Sequence, residues 1–389
     1  MHFIKLLARR KYKLAVLAIL LAIACSFADS VRAGIRPSFD YDSATWDATN
    51  VVLVEATATP GTFKVIHSFK GNLVAGRTIL VPALISPKDA KSLAEIVKAP
   101  DNWDADPSGL SGDLAASPAG SRMYLFLKRA ASQGDSSRWE PAARGGYKLS
   151  TAWLDHGRVF AFQQWMNPGP SRIGPLAGEA SYSAAVNFEL RVEGTVSVQQ
   201  KFDQVMRLTD PEEKAAALQA IFESNSMNAS IDNRISISAY DASIKALGEM
   251  GPPAVPHIIE ILNEGYGVDG DSVMVNALRT AAGADAGKVL ASRLSDDLNY
   301  WKTAAPRLKP EFWRDTTYTY MRNSVRQRVS ETVFVVRALA DMHYRDAKPR
   351  MRELREFWLA TRVLNTPDSG ADQVPREIDG ALRVMDGRQ

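Results

Sequence analysis

The residues from Ile237 to Leu262, ISAYDASIKALGEMGPPAVPHIIEIL, admit few folds. Ile237, Tyr240, Ile244 and Leu247 recur at the spacing of one helical face, and Val255, Ile258, Ile259 and Leu262 do so again after the Gly-Pro-Pro turn. Neither short helix can bury its apolar stripe alone. The two must pack on each other and then on neighbouring pairs, the logic of a stacked helical array. Leu247 and Ile259 are expected to face each other in the buried seam.

The same rhythm runs on both sides of this block. Phe202, Val205 and Met206 mark a helix, and Asp210-Pro211-Glu212-Glu213 opens another with an N-cap, a first-turn proline and an acid at the third position, its stripe being Leu218, Ile221 and Phe222. A further pair over 272–296 carries Val275, Leu278 and Ala282, a break at Gly283, then Val289, Leu290 and Leu294. Val325, Val329, Val333, Val336 and Leu339 line a longer helix, and Leu354 and Trp358 lie on the helix after Asp346. Four pairs exceed the roughly three needed for a continuous core. The ALGEMGPPAVPHIIEIL segment resembles HEAT repeats of the phycobilisome-lyase type, which implies an α-helical solenoid over 196–364. Residues 365–389 read as a flexible tail.

From residue 34 to about 195 the period is that of strands. VVLVEAT (51–57) leads through Pro60-Gly61 into TFKVIHSFKG, a hairpin; TILVP (78–82), MYLFLKR (123–129) and AWLDHGRVFAFQQW (152–165) continue the series, with a last strand expected near Ala185 to Val192. One short helix is expected near Ala90 to Val97, a loop over 101–121 and an irregular stretch over 167–181. A small β barrel or sandwich follows. The run ATNVVLVEAT, a hairpin and then FKG resembles the netrin-like, tissue-inhibitor-of-metalloproteinase-like branch of the OB barrels. The stapling cysteines of those domains are absent here. The fold expected is therefore multidomain β + α: an OB-like barrel or sandwich, then a HEAT-like solenoid.

Residues 1–33 have a basic start, an apolar run from Leu14 to Ala24 and a small-residue site at Val31-Arg32-Ala33, the layout of a cleaved secretory signal. The apolar run is shorter than the ~20 residues of a spanning helix. Ala22-Ile23-Ala24-Cys25 also resembles a lipobox, and Arg9-Arg10 a twin-arginine pair. The expected address is periplasmic or extracellular, with membrane attachment only through a lipidated Cys25 or an uncleaved signal. Without this segment 41 basic and 43 acidic residues remain, so the overall excess of base is no argument for nucleic acid. Charge is nevertheless uneven: 301–363 holds fourteen Lys or Arg against seven Asp or Glu. Cys25 is the only cysteine, which excludes thiolate metal sites and disulfides from the mature chain.

Little of the remaining chemistry is specific. His67, His156, His257 and His343 share no metal-ligand spacing. Gly270-Asp271-Ser272-Val273 matches the nucleophile block of SGNH hydrolases, but Ser272 opens a helix and the partner Asp-x-x-His is missing, since Asp341 and His343 are one residue apart. Asp104 to Ala115 begins like a calcium loop and lacks its final glutamate. No cofactor and no metal are expected. Residues 299–320 break the repeat with aromatic and basic side chains, and Trp301, Arg307, Phe312, Trp313, Arg314, Tyr318 and Tyr320 are the expected partner-binding residues. The reading reached is an exported, non-enzymatic protein-interaction or scaffold protein with a protein partner. The alternatives are an envelope enzyme with its site near Trp153, Asp155 and His156, and a binder of acidic polymers or lipid headgroups through the basic end.

Overall fold

Two strands buried on both faces organise the N-terminal half. The computed structural model describes residues 39–82, 119–129, 138–142, 150–163, 172–175, 184–225, 236–264, 271–308, 312, 319–365 and 371–387. Within it β1 (Asn50–Ala56) and β4 (Arg122–Arg129) pair antiparallel, with Val52 opposite Leu125 and Leu53 opposite Tyr124. Val51 to Val54 and Met123 to Leu127 are all buried. A strand covered on both sides reads as a continuous apolar run, which is what VVLV and MYLFL are.

The other strands are β2 (Thr62–Lys70), β3 (Thr78–Leu80), β5 (Trp139–Pro141), β6 (Thr151–Asp155), β7 (Arg158–Gln163) and β8 (Arg172–Pro175). They form an antiparallel sheet in the order β3-β2-β1-β4-β6-β7-β8, with β5 on the far end of β4. Leu80 makes a parallel bridge to Arg138, immediately before β5. Tyr124 and Phe126 lie against Phe188 and Phe39, at centroid distances of 4.7 and 5.5 Å. The helix α1 (Tyr41–Asp47), capped by the Asp40 carboxylate, packs on β4.

Two expectations fail here. β8 falls inside the stretch read as irregular, and the strand expected near 185–192 is the start of a 22-residue helix, α2 (Ala185–Met206). The alternation of Val186, Phe188, Leu190 and Val192 mimics a strand. Only Phe188 and Val192, one helical turn apart, are buried, whereas Val186 is 67% and Leu190 54% exposed. Contact density divides the chain after Phe188 rather than near residue 195. The expected helix at 90–97, the 101–121 loop up to residue 118 and the signal segment lie outside the described residues.

The C-terminal half is helical. After α3 (Pro211–Asn225), capped by Asp210, come α4 (Ile237–Met250), α5 (Val255–Glu264), α6 (Asp271–Ala282), α7 (Ala286–Ala304), α8 (Thr319–Asp341), α9 (Lys348–Ala360) and α10 (Gln373–Met385). Three pairs share one plan: a helix, a residue at positive φ, a 3-10 turn and a return helix. The positive-φ residues are Gly251, Gly283 and His343. Helices α4, α6, α8 and α10 pack in succession, while α7 packs on α9 and α9 on α10. One core results, running from Ala215 and Leu218 to Ile378 and Met385.

Details differ from the periodicity. Leu247 is buried as expected, but its covered counterparts on α5 are Ile258, Ile261 and Leu262; Ile259 is half-buried and Ile237, in the first turn, is exposed. The expected flexible tail contains α10, whose Val374, Ile378 and Met385 are fully buried, and the Trp358 indole donates to Ala371 O at 2.9 Å. The apolar residues Val374, Ile378, Ala381 and Met385 recur at spacings of three and four between charges, an amphipathic pattern present in the sequence that the tail reading misses.

Two glycines give opposite expectations. A Cβ on Gly287 would lie 2.2 Å from the Tyr344 ring, whereas one on Gly194, inside α2, meets nothing. Gly287→Ala should therefore destabilise by about 1 to 3 kcal/mol in urea denaturation, and Gly194→Ala should stabilise by roughly 0.5 to 1 kcal/mol. Equal signs would refute the packing at Gly287.

Candidate functional site

Superposing the three pairs by sequence exposes one departure from the repeat. A buried alanine marks the junction of turn and return helix in each pair: Ala254 and Ala347 end their 3-10 turns and Ala286 opens α7. Four residues on stand Ile258, Leu290 and Met351, all fully buried. Seven residues on stand Ile261, Arg293 and Leu354. A guanidinium thus occupies a core position of the second pair, 1% exposed.

Its neighbours bond two of its three nitrogens, while Nη2 is buried without a hydrogen-bond partner among the described residues. Arg293 Nε donates to Glu331 Oε1 at 2.5 Å, Nη1 donates to Asn263 Oδ1, and Asp297, one turn on, lies at 4.0 Å. Arg328 on α8 reaches Asp297 at 2.7 Å and Glu331 at 3.5 Å, and its guanidinium sits 5.0 Å from the Tyr300 ring centroid. Thr332 donates to Asp297 Oδ2, and the Trp301 indole donates to Thr332. Two cations face two carboxylates, so the cluster is formally neutral. Burial, then the charge of Glu331, pushes the Asp297 carboxyl from 3.8 up to about 7, against the pull of Arg328 and Arg293. With Arg293, Asp297 and Glu331 all sealed from solvent, no ligand reaches the cluster. Its chemistry is the joining of α7 to α8.

The expected partner-binding residues are scattered by this packing. Trp301 and Phe312 are core residues, Trp301 lying edge-on to Trp358 at 5.0 Å, and their assignment as contact anchors is corrected: a buried ring offers no surface. Arg307 is exposed at the end of the 3-10 turn Ala305–Arg307. Trp313, Arg314 and Tyr318 lie outside the described residues, as does the side chain of Tyr320 in the first turn of α8.

The basic stretch is also less available than its composition suggests. Arg337 forms a two-pronged bond with Glu377, Arg355 another with Asp379, and Lys348 pairs with Asp386. All three acids belong to α10 or the residue after it. Arg337 in turn holds the Glu377 carboxyl below its usual range.

The β-unit trio fares no better. Trp153 is buried against the sheet, while His156 stands 89% exposed at the hairpin tip, 2.8 Å from Asp155. His257 is bound to Gln219 at 2.6 Å, His67 contacts the Phe69 ring, and His343 makes the turn after α8. Ser272 lies in the first turn of α6. The residues of the calcium-like loop are outside those described.

An open cleft does exist where the ends of β1, β4 and β5 meet the β2–β3 turn. Its volume is about 490 Å³, and its lining is Thr49, Asn50, Gly71, Asn72, Arg77, Arg129 and Trp139. Asn50 fixes one wall: buried at the start of β1, its Oδ1 accepts from the backbone N–H groups of Asn72 (2.9 Å) and Leu73 (3.2 Å). Gly71, at φ 90°, makes this possible, since a Cβ there would lie 2.1 Å from that oxygen. Thr49 is tied to β4 through Leu127 O, and Arg129 lies opposite Trp139 in the β4–β5 ladder. Sequence reasoning missed both this cleft and the ion cluster. An arginine at a repeat position otherwise held by Ile and Leu could have signalled the cluster; Arg77 and Arg129, fifty-two positions apart, carry no local signal.

No family model, no curated protein and no solved structure matches this chain.

The raised Asp297 pKa fixes a pH dependence. The folded chain keeps a proton on Asp297 that the unfolded chain releases, so this group's contribution to stability is complete below about pH 4 and is lost as pH rises to about 7. Asp297→Asn removes that titration. Across this window, the denaturation midpoint of the wild type should fall relative to the Asn variant; a constant difference would mean that Asp297 is ionised throughout. Arg293→Met should destabilise by about 3 to 5 kcal/mol, because Glu331 would lose its closest cation in the core.

Proposed function

We propose that this chain is an exported, non-enzymatic protein-binding or scaffold protein whose helical half is a HEAT-like solenoid. The observation that carries this reading is the stacking of α4–α5, α6–α7 and α8–α9, three pairs built on one turn plan, each packed on the next. Such an array gains stability from successive neighbours and leaves its long edges to bind other molecules. The OB-like reading of the β half is supported by the strand ring β1-β2-β3-β5-β4, in which β3 meets β5 in parallel, the closure that a five-stranded Greek-key barrel needs. Function stays with the site rather than the fold. The exposed hairpin tip at Asp155 and His156 gives the enzymatic alternative no enclosed centre, and the ion pairs made by α10 reduce the free charge behind the polyanion alternative.

Export rests on residues 1–33, and a mature chain beginning at Gly34 is the expected product. N-terminal sequencing of the exported form checks it; a lipidated Cys25 would replace cleavage with anchoring. Ile237 and Val273 are exposed apolar residues in the first turns of the adjacent helices α4 and α6. Photo-crosslinkers at these two positions should capture the same protein in intact cells. Capture at neither, by chain of confirmed location and folding, would count against binding along this edge.

A further inference from the structure

We propose that the cleft at the end of the β ring is a binding site for a small oxyanion, phosphate or carboxylate, carrying at least two negative charges. Its volume, about 490 Å³, lies within the roughly 300 to 1,000 Å³ of small-molecule sites. Its described lining residues bring two guanidinium groups together with amide and hydroxyl groups, and no carboxylate is among them.

The charge of the two arginines is unspent. On β4, Arg122 pairs with Glu55 and Lys128 with Glu140, so the strand's other cations already have acids. Arg129 and Arg77 make no ion pair among the described residues. Guanidinium groups offer planar pairs of donors that fit carboxylate and phosphate oxygens two at a time. Trp139, which also lines the cleft, is only 5% exposed and sits opposite Arg129 in the β4–β5 ladder, so this wall too is fixed by the sheet.

The wall is set before any ligand arrives. Asn50 clamps the Gly71–Leu73 turn from beneath, so the Asn72 and Arg77 side of the cleft is held by the sheet rather than by surface contacts. Size and charge together favour a small ligand over a polymer. A polyanion is held by a track of cations along its length, and the described lining residues of this cleft supply two.

Titration calorimetry on the whole mature protein at low salt tests the assignment, with pyrophosphate and citrate as separate probes. At least one should bind with Kd below about 1 mM, and the one that does distinguishes phosphate from carboxylate recognition. Arg77→Glu and Arg129→Gln should each weaken that binding by about tenfold or more without moving the melting temperature, both side chains being exposed. Arg122→Ala, at the other end of β4, should leave it unchanged. Absence of binding by both probes would overturn the proposal, as would equal affinity in the Arg77 and Arg129 variants. Heparin binding that depends on these two arginines while both small probes fail would overturn it in favour of a polymer.

Discussion

The contact between one helical pair and the next carries the C-terminal half. Its shorter helices run from 10 to 15 residues, a length at which an isolated helix is marginal in water. Each buries its stripe only because α4 lies on α6, α6 on α8 and α8 on α10. The turn inside each pair is therefore decisive, for it returns the second helix to the correct side. A left-handed residue does this at Gly251 and Gly283, where glycine adopts positive φ without a clash. In the third pair the positive φ falls on His343, at a cost of roughly 1 to 2 kcal/mol for a residue with a Cβ. That turn is longer, and it is held by His343 N–H to Ala340 O and Tyr344 N–H to Leu339 O. It delivers the Tyr344 ring onto Gly287, so strain in one pair is offset by contact with the preceding one.

An array of similar stripes has a second problem, which is register. Apolar surfaces of like spacing tolerate sliding, because leucine meets leucine after a shift of one turn as well as before it. The ionic cluster does not tolerate it. Arg293 needs Glu331 at hydrogen-bonding distance, and Asp297 needs both Arg328 and Thr332, so displacement of α7 along α8 by one turn would leave buried charges without partners. Loss of one partner of a buried pair costs several kcal/mol, far more than the exchange of one aliphatic contact for another. Replacing the cluster with well-packed aliphatic residues could match its stability, but would not penalise the shifted alternatives in the same way.

What the sequence makes legible follows from how local each signal is. The helix pairs are visible because their stripes and turns lie within thirty residues of one another, as in Leu247, Gly251 and Ile258. Strands β1 and β4 are visible because burial on both faces forces unbroken apolar runs. The start of α2 is misread because Val186 and Leu190, although apolar, face water, so composition alternates where burial does not. Trp301 is misread for the converse reason: an aromatic residue amid cations looks like a surface anchor, yet its partners Trp358 and Thr332 are supplied by segments far along the chain. The cleft is the extreme case. Asn50, Gly71, Arg77, Arg129 and Trp139 acquire a common meaning only when three ladders bring their strand ends together.

Charge illustrates the same distinction between density and availability. Residues 301–363 are rich in base, and a reading by composition places the protein's cationic surface there. Folding places α10 against α8 and α9, and its Glu377, Asp379 and neighbouring Asp386 take up Arg337, Arg355 and Lys348. Exposed pairs of this kind add little stability, but each cation so held is partly withdrawn from any outside anion, which would have to displace a carboxylate already in place. Arg77 and Arg129 stand in an unremarkable stretch of sequence and face no such competitor among the described residues. For anion recognition, two guanidinium groups without an ion pair among the described residues, at a formed cleft, count for more than a basic segment whose acids arrive from twenty-four to forty residues away.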